Sequence, residues 1–113
     1  MNIAVIGSRG FQNEALLHRV LSNAFSEDDV LVSGGARGAD RLAENWARRH
    51  GTKCRIFKAD WNRYGRSAGY RRNYTLIAQA EKVIAFWDGQ SRGTAHSLEL
   101  ARKKGIAVAI HRF

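Results

Sequence analysis

Three glycine-rich segments carry the residue types and spacings that could do chemistry: Gly7 to Phe11 (GSRGF), Ser33 to Asp40 (SGGARGAD) and Trp87 to Thr94 (WDGQSRGT). Glycine lets a backbone approach a phosphate and aim its N–H groups at it, and a helix starting just beyond adds the positive end of its dipole. In the second segment Ser33, Gly34, Gly35 and Gly38 supply such a backbone. There Arg37 is a candidate clamp for an oxyanion, and Asp40 could cap the following helix or accept from a ribose hydroxyl. The competing explanation is a tight strand-to-helix turn that needs glycine for geometry alone. In the third segment Trp87, Asp88, Ser91 and Arg92 lead into Gly93 and Thr94, where backbone donors and a hydroxyl meet phosphate or where Thr94 is only an N-cap. Gly7, Ser8 and Arg9 complete the set. The first segment matches neither GxGxxG nor GxxxxGK[ST], so neither a dinucleotide fingerprint nor a P-loop ATPase is supported.

A fourth region, Asp60, Trp61, Tyr64, Arg66, Tyr70, Arg72 and Asn73, interleaves aromatic planes with cations, a composition suited to stacking on a base while neutralising phosphate. Trp61, a large aromatic beside a strand end, is expected in the core rather than as a platform. Nine basic residues lie between Arg48 and Arg72 against one acid, Asp60, in a chain of formal net charge +9. That balance favours anionic partners, although a basic run is often only a solvated face. His18, His50, His96 and His111 form no pair at metal-ligand spacing and Cys54 is the single cysteine, so no metal site and no cofactor are expected. No GxSxG surrounds Ser8 or Ser33, which argues against a hydrolase triad. Catalytic residues stay unassigned, with His96 near Asp88 at most an acid–base candidate.

These segments need a scaffold that brings them together. Asn2 to Ile6 is a β-branched apolar run, and similar short runs recur at Asp29 to Val32, Arg55 to Phe57, Val83 to Trp87 and Ile106 to Ile110. Between them lie helical stripes: Leu16 to Ala24, Ala39 to Ala47, a third marked by Leu76, Ile77 and Ala80, and Thr94 to Lys104 with Gly105 as its stop. Strands alternating with helices predict a Rossmann-like three-layer α/β domain with a five-stranded, mainly parallel sheet, spanning residues 1–113 as one unit. In such a sheet ligands bind beyond the carboxyl ends of the strands, where the glycine segments stand. Ala59 to Arg71 reads as an unusually long loop.

Length and composition set the outer limits. At 113 residues, 44% hydrophobic and 26% charged, the chain fits one globular domain. No segment approaches the roughly 20 apolar residues that cross a bilayer, and Ile3 to Ile6 is too short for a secretory signal. With one cysteine and no internal disulfide, a cytoplasmic setting is expected. A homo-oligomer is left open.

The segments GSRGF, SGGARGAD, ADW…YG…AG…RN and FWDGQSRGT…LA, in this order and spacing, resemble the YspA-like (cpYpsA-related) family of the SLOG superfamily across essentially the whole chain. The superfamily includes the cytokinin-activating LOG phosphoribohydrolases and the DNA-binding core of DNA processing protein A. The resemblance implies a Rossmann-like fold for nucleotides or nucleotide-derived ligands, with Gly34, Gly35, Gly93 and Thr94 at phosphate and Arg72 near the ligand. Two departures matter. The LOG enzymes carry PGGxGTxxE, whereas Ser97 stands at the glutamate position here and Glu99 lies two residues on, about 200° around a helix. Tyr70 stands where related sequences tend to have proline after Ala-Gly. The expected partner is therefore a phosphate-bearing nucleotide or nucleotide-derived small molecule, bound as by a sensor, with weak nucleic-acid binding in addition and no membrane partner. An enzyme cleaving an N-glycosidic or phosphoester bond through Asp40, Asp60, Asp88 or Glu99, and a single-strand binder using the basic stretch, are the alternatives.

Overall fold

The apolar runs become strands because β-branched residues fit a pleated surface covered on both sides. They are β1 (Asn2–Gly7), β2 (Val30–Ser33), β3 (Lys53–Ile56), β4 (Lys82–Trp87) and β5 (Ala107–Arg112). The computed structural model, which describes residues 1–113, joins them in one sheet of order β3-β2-β1-β4-β5. Every neighbouring pair is parallel, so the sheet is wholly rather than mainly parallel.

Parallel pairing requires a crossover after each strand, and helices supply all four: α1 (Glu14–Ala24), α2 (Ala39–His50), α4 (Ala68–Gln79) and α5 (Arg92–Lys104). Alternation along β1 divides the interior. Ile3 and Val5 pack with Leu17, Leu21 and Trp46 under α1 and α2, whereas Ala4 and Ile6 pack with Leu76, Ile77 and Ala101 under α4 and α5. No helix is long and apolar enough to cross a membrane. From β1 the chain builds outward to β2 and β3, then returns to add β4 on the other side. The order therefore reverses between β1 and β4, where open α/β sheets form a crevice.

The segment Ala59 to Arg71 is not a loop. It holds a short helix α3 (Trp61–Tyr64), a 3-10 turn (Gly65–Ser67) and the first residues of α4. The α4 stripe is hard to read in sequence because its buried positions, Ala68, Asn73, Leu76 and Ile77, include a polar residue, with half-buried Arg72 beside it. Those polar side chains face the crevice instead of the apolar core. Helix α5 likewise starts earlier than its apolar period suggests, at Arg92, which makes Gly93 and Thr94 its second and third residues.

Candidate functional site

Close backbone approaches bring the three glycine segments together. Gly7 ends β1 where a Cβ would lie 2.4 Å from the Phe86 carbonyl oxygen and 2.6 Å from Ala39 Cβ. The Ser8 N–H donates to Phe86 O at 2.9 Å, and the Asp88 N–H donates to Ser8 Oγ at 3.2 Å, which ties the first segment to the third. The second segment crosses over the first at Gly38, and Ala39 N–H donates to Ser8 O at 3.4 Å. Between these loops lies a cleft of about 420 Å³, within the range that holds a small ligand. Ile6 and Leu76 supply apolar wall, and Gly7, Ser8, Arg9, Asp40, Arg72, Asn73, Asp88, Ser91, Gly93, Thr94 and Ser97 the polar remainder.

Asp40 and Arg72 dominate its electrostatics. Asp40 is buried, and its Oδ2 accepts the Ala36 N–H at 3.1 Å. Burial pushes its carboxyl up to about 7, against the stabilising Ala36 N–H and the Arg72 charge. Burial also draws Arg72 below its ordinary value, Asp40 opposing the shift and Arg9 adding to it. Arg72 Nη1 donates to the Gly34 carbonyl, and its Nε donates to Asn73 Oδ1 at 3.0 Å. A Cβ on Gly34 would meet that guanidinium at 2.6 Å. The backbone around Gly34 is thus occupied by the protein's own Asp40 and Arg72.

Helix α5 is arranged differently. Ser91 sits at its N-cap and its side chain accepts no backbone N–H of the helix; the helical bonds begin with Ala95 N–H to Ser91 O at 3.1 Å. The amides of Arg92, Gly93 and Thr94 precede that bond, so helix geometry leaves them without intrahelical acceptors. A Cβ on Gly93 would meet nothing within 4 Å. Thr94 is not the cap. It is a buried residue of the first turn, its Oγ1 3.4 Å from Ser91 Oγ, and Ser97 is buried one turn further along. Asn73 Nδ2 donates to Gly93 O at 3.3 Å and to His96 Nδ1 at 3.2 Å, which fixes α4 against this helix start. Asp88 Oδ1 accepts the N–H groups of Gln90 and Ser91 at 2.9 and 2.8 Å, which hold its carboxyl below the usual range.

Several candidates lie elsewhere. Ser33 Oγ donates to Glu44 Oε2 at 2.5 Å and accepts the Gly35 N–H at 3.3 Å, so it faces α2. Arg37, in the turn before α2, and Arg92, the first residue of α5, are exposed and outside the cleft wall. The Trp87 indole N–H donates to Ser91 O at 3.1 Å, shaping the loop from outside. Asp60 caps α3, accepting the Arg63 N–H at 3.1 Å, and with Tyr64 it lines a separate hollow. Gly35 belongs to a chamber beside the cleft. His96 packs edge-on against Tyr70 and Tyr74, which removes it as a partner for Asp88. Glu99 pairs with Arg102 on the outer face of α5, as the helical offset from Ser97 requires. Trp61 is 53% exposed, not core. Ser97 and Lys58 join the candidates, Ser97 in the cleft wall on the same helix face as Thr94 three residues before it, and Lys58 in the chamber beside the cleft.

Residues 1–64 match the family described as YspA, cpYpsA-related SLOG (YAcAr). The Gene 61 protein of Mycobacterium phage D29 is 35% identical over 115 residues, covering 94% of this chain and 92% of that one. Among solved structures, DNA processing protein A of Streptococcus pneumoniae superposes with a TM-score of 0.80 at 20% identity over 96% of this chain. The Helicobacter pylori protein of the same name, described by its single-stranded DNA binding mode, superposes with 0.74 at 22% identity over 97%. The chain spans 49% and 64% of those two proteins, and at such identities the likeness is one of fold.

Proposed function

Because the chain belongs to the YspA, cpYpsA-related SLOG family, we propose that the cleft binds a phosphate-bearing nucleotide or nucleotide-derived ligand, with the phosphate on the start of α5. One observation carries this reading: the first turn of α5 is uncapped, faces a cleft, and has open space at Gly93. Amide donors and the helix dipole favour an anion there, the Thr94 and Ser97 hydroxyls stand beside it, and Arg72 and Arg9 supply positive charge. The glycine segment after β2 has a different part in this reading. It holds Arg72 through Gly34 O and gives its Ala36 N–H to Asp40, so it builds wall of the cleft instead of meeting the phosphate.

Gly93→Asp tests the reading without endangering the fold. A carboxylate in the first turn favours the helix by about 0.3–1 kcal/mol and meets no steric obstacle, but it occupies the phosphate position. The variant is expected to melt at or above the wild-type temperature and to bind nucleoside monophosphates at least about tenfold more weakly, the equivalent of one lost charge-assisted contact. Calorimetric titration checks it, and unchanged affinity overturns the phosphate assignment.

Single-stranded nucleic acid is the second reading, favoured by the fold shared with a protein described as binding single-stranded DNA. The basic stretch supports it less than its charge suggests. Lys53 and Arg55 lie on the exposed edge strand β3 and Arg48 and Arg49 end α2, so only part of the stretch, Lys58, Arg71 and Arg72, gathers beside the cleft. For a nucleotide in the cleft, the logarithm of affinity should fall shallowly with the logarithm of salt, as expected for one or two phosphates. A tracked strand would give a slope near about −0.7 for every phosphate contacted. Parallel titrations of a nucleotide and a labelled oligonucleotide decide between them, and steep, length-dependent oligonucleotide binding without nucleotide binding would make the second reading the better one.

A further inference from the structure

The cleft does not end at Arg72. Arg9, Ala36 and Arg72 are shared with a second chamber of about 270 Å³, whose remaining wall is Gly34, Gly35, Lys58, Ala59 and Trp61. Trp61 opens α3, and the Asp60 cap fixes the turn that carries it, with Asp60 Oδ1 accepting the Arg63 N–H and Gly65 N–H closing onto Trp61 O. The indole edge rests over Gly69 of α4, where a Cβ would stand 3.4 Å from its Cη2.

The other aromatic rings near the cleft are engaged. Arg71 and Arg63 stand 4.4 and 5.0 Å from the Tyr64 ring centroid. Tyr70 and Tyr74 meet the His96 ring at 4.6 and 5.4 Å. Trp61 has no such partner among the ring pairs and cation–π contacts, and it is half-exposed beside three cations.

We infer that Trp61 is the stacking platform for the ligand's base, so that the site takes a molecule with a phosphate on the α5 start and an aromatic ring in the second chamber. The inference rests on the phosphate reading and adds the part of the ligand that reading leaves unassigned. An indole face attracts any nucleobase, and Arg9 and Arg72 between the chambers neutralise phosphate on the way. Asp60 then acts as a positioning residue, holding the turn that presents the indole.

The test compares AMP, GMP, CMP and UMP with ribose 5-phosphate, which has the phosphate and no base, by calorimetry on wild type, Trp61→Ala, Trp61→Phe and Tyr70→Ala. Wild type is expected to prefer at least one monophosphate over ribose 5-phosphate by about tenfold or more. Trp61→Ala should erase that preference while ribose 5-phosphate affinity stays unchanged, and Trp61→Phe should restore most of it. Tyr70→Ala should leave it intact. A second readout guards against a folding defect: nucleotide-induced quenching of tryptophan fluorescence should largely vanish in Trp61→Phe, whose affinity is retained. A preference that survives Trp61→Ala, or one lost in Tyr70→Ala instead, overturns the platform while leaving the phosphate reading standing. Failure of every monophosphate and of ribose 5-phosphate to bind wild type overturns the phosphate reading, and the platform with it.

Discussion

Arg72→Ala is expected to cost about 3 kcal/mol of stability at pH 8 and about 2 kcal/mol at pH 5, because the Arg72 charge helps the buried Asp40 carboxyl to ionise and its loss leaves that carboxyl protonated to higher pH. The pH dependence follows from the carboxyl's position near 7 in the folded protein against roughly 3.9 in an unfolded chain. Between those values the folded state holds a proton that the unfolded state has released, so Asp40's contribution to stability falls as pH rises through that window. Removing Arg72 takes away a charge that holds the carboxyl down, so the fall continues to higher pH. At pH 5 Asp40 is neutral in both proteins. The loss there reduces to the hydrogen bonds to Gly34 O and Asn73 Oδ1, about 1 kcal/mol each. Adding Asp40→Asn to Arg72→Ala should remove the excess of the pH 8 loss over the pH 5 loss and flatten the profile. Urea unfolding of wild type, both single variants and the double variant at the two pH values checks this, and equal losses for Arg72→Ala at pH 5 and pH 8 would rule out the coupling. Ligand binding should disappear in Arg72→Ala at both.

Gly38→Ala should be the most damaging glycine substitution around the site, lowering stability by about 3 kcal/mol or more and the melting temperature by about 10 °C or more. Gly38 has φ +80° and ψ −128°, a region that side chains scarcely enter. Its added Cβ would stand 2.5 Å from the carbonyl oxygens of both Ser8 and Arg9. Both obstacles are backbone, so no rotamer change relieves them and the first two glycine segments must separate. Gly35→Ala also carries a positive φ, +72°, but its Cβ meets Ile56 Cγ2 at 3.0 Å and the Lys58 side chain at 3.2 Å, which yield more easily. Gly10→Ala has no neighbour within 4 Å and serves as the neutral control. Thermal unfolding of the three variants checks the order; a Gly38→Ala protein melting with the Gly10→Ala control would show that the crossing is looser than its geometry implies.

What the sequence determined by itself was the scaffold and the end of the sheet at which its glycine segments meet. The apolar runs of β1 and β4 and the stripe of α2 follow from periodicity, which depends only on neighbours along the chain. Alternating strands and helices then leave one architecture, and its strand ends coincide with the glycine segments. The family was legible for the same reason, since its motifs are those loops in order. What only the tertiary structure decided was which side chains of each loop face inward. Arg37 and Arg92 have the chemistry of anion ligands, yet both are exposed outside the cleft wall, whereas Arg72 is held in the cleft by Gly34 O, a contact across 38 residues that no local pattern encodes. Polar Arg72 and Asn73 take inward positions on α4, so the first turn of that helix, Ala68 to Arg71, reads as part of a loop. Trp61 reads as core because large aromatics usually are, but exposure depends on what the fold stacks above a residue, and about half of that side chain is left bare. The donors after β2 and those at α5 look alike as sequence; folding gives Gly35 N–H to Ser33 Oγ and Ala36 N–H to Asp40 and leaves the start of α5 without a side-chain cap.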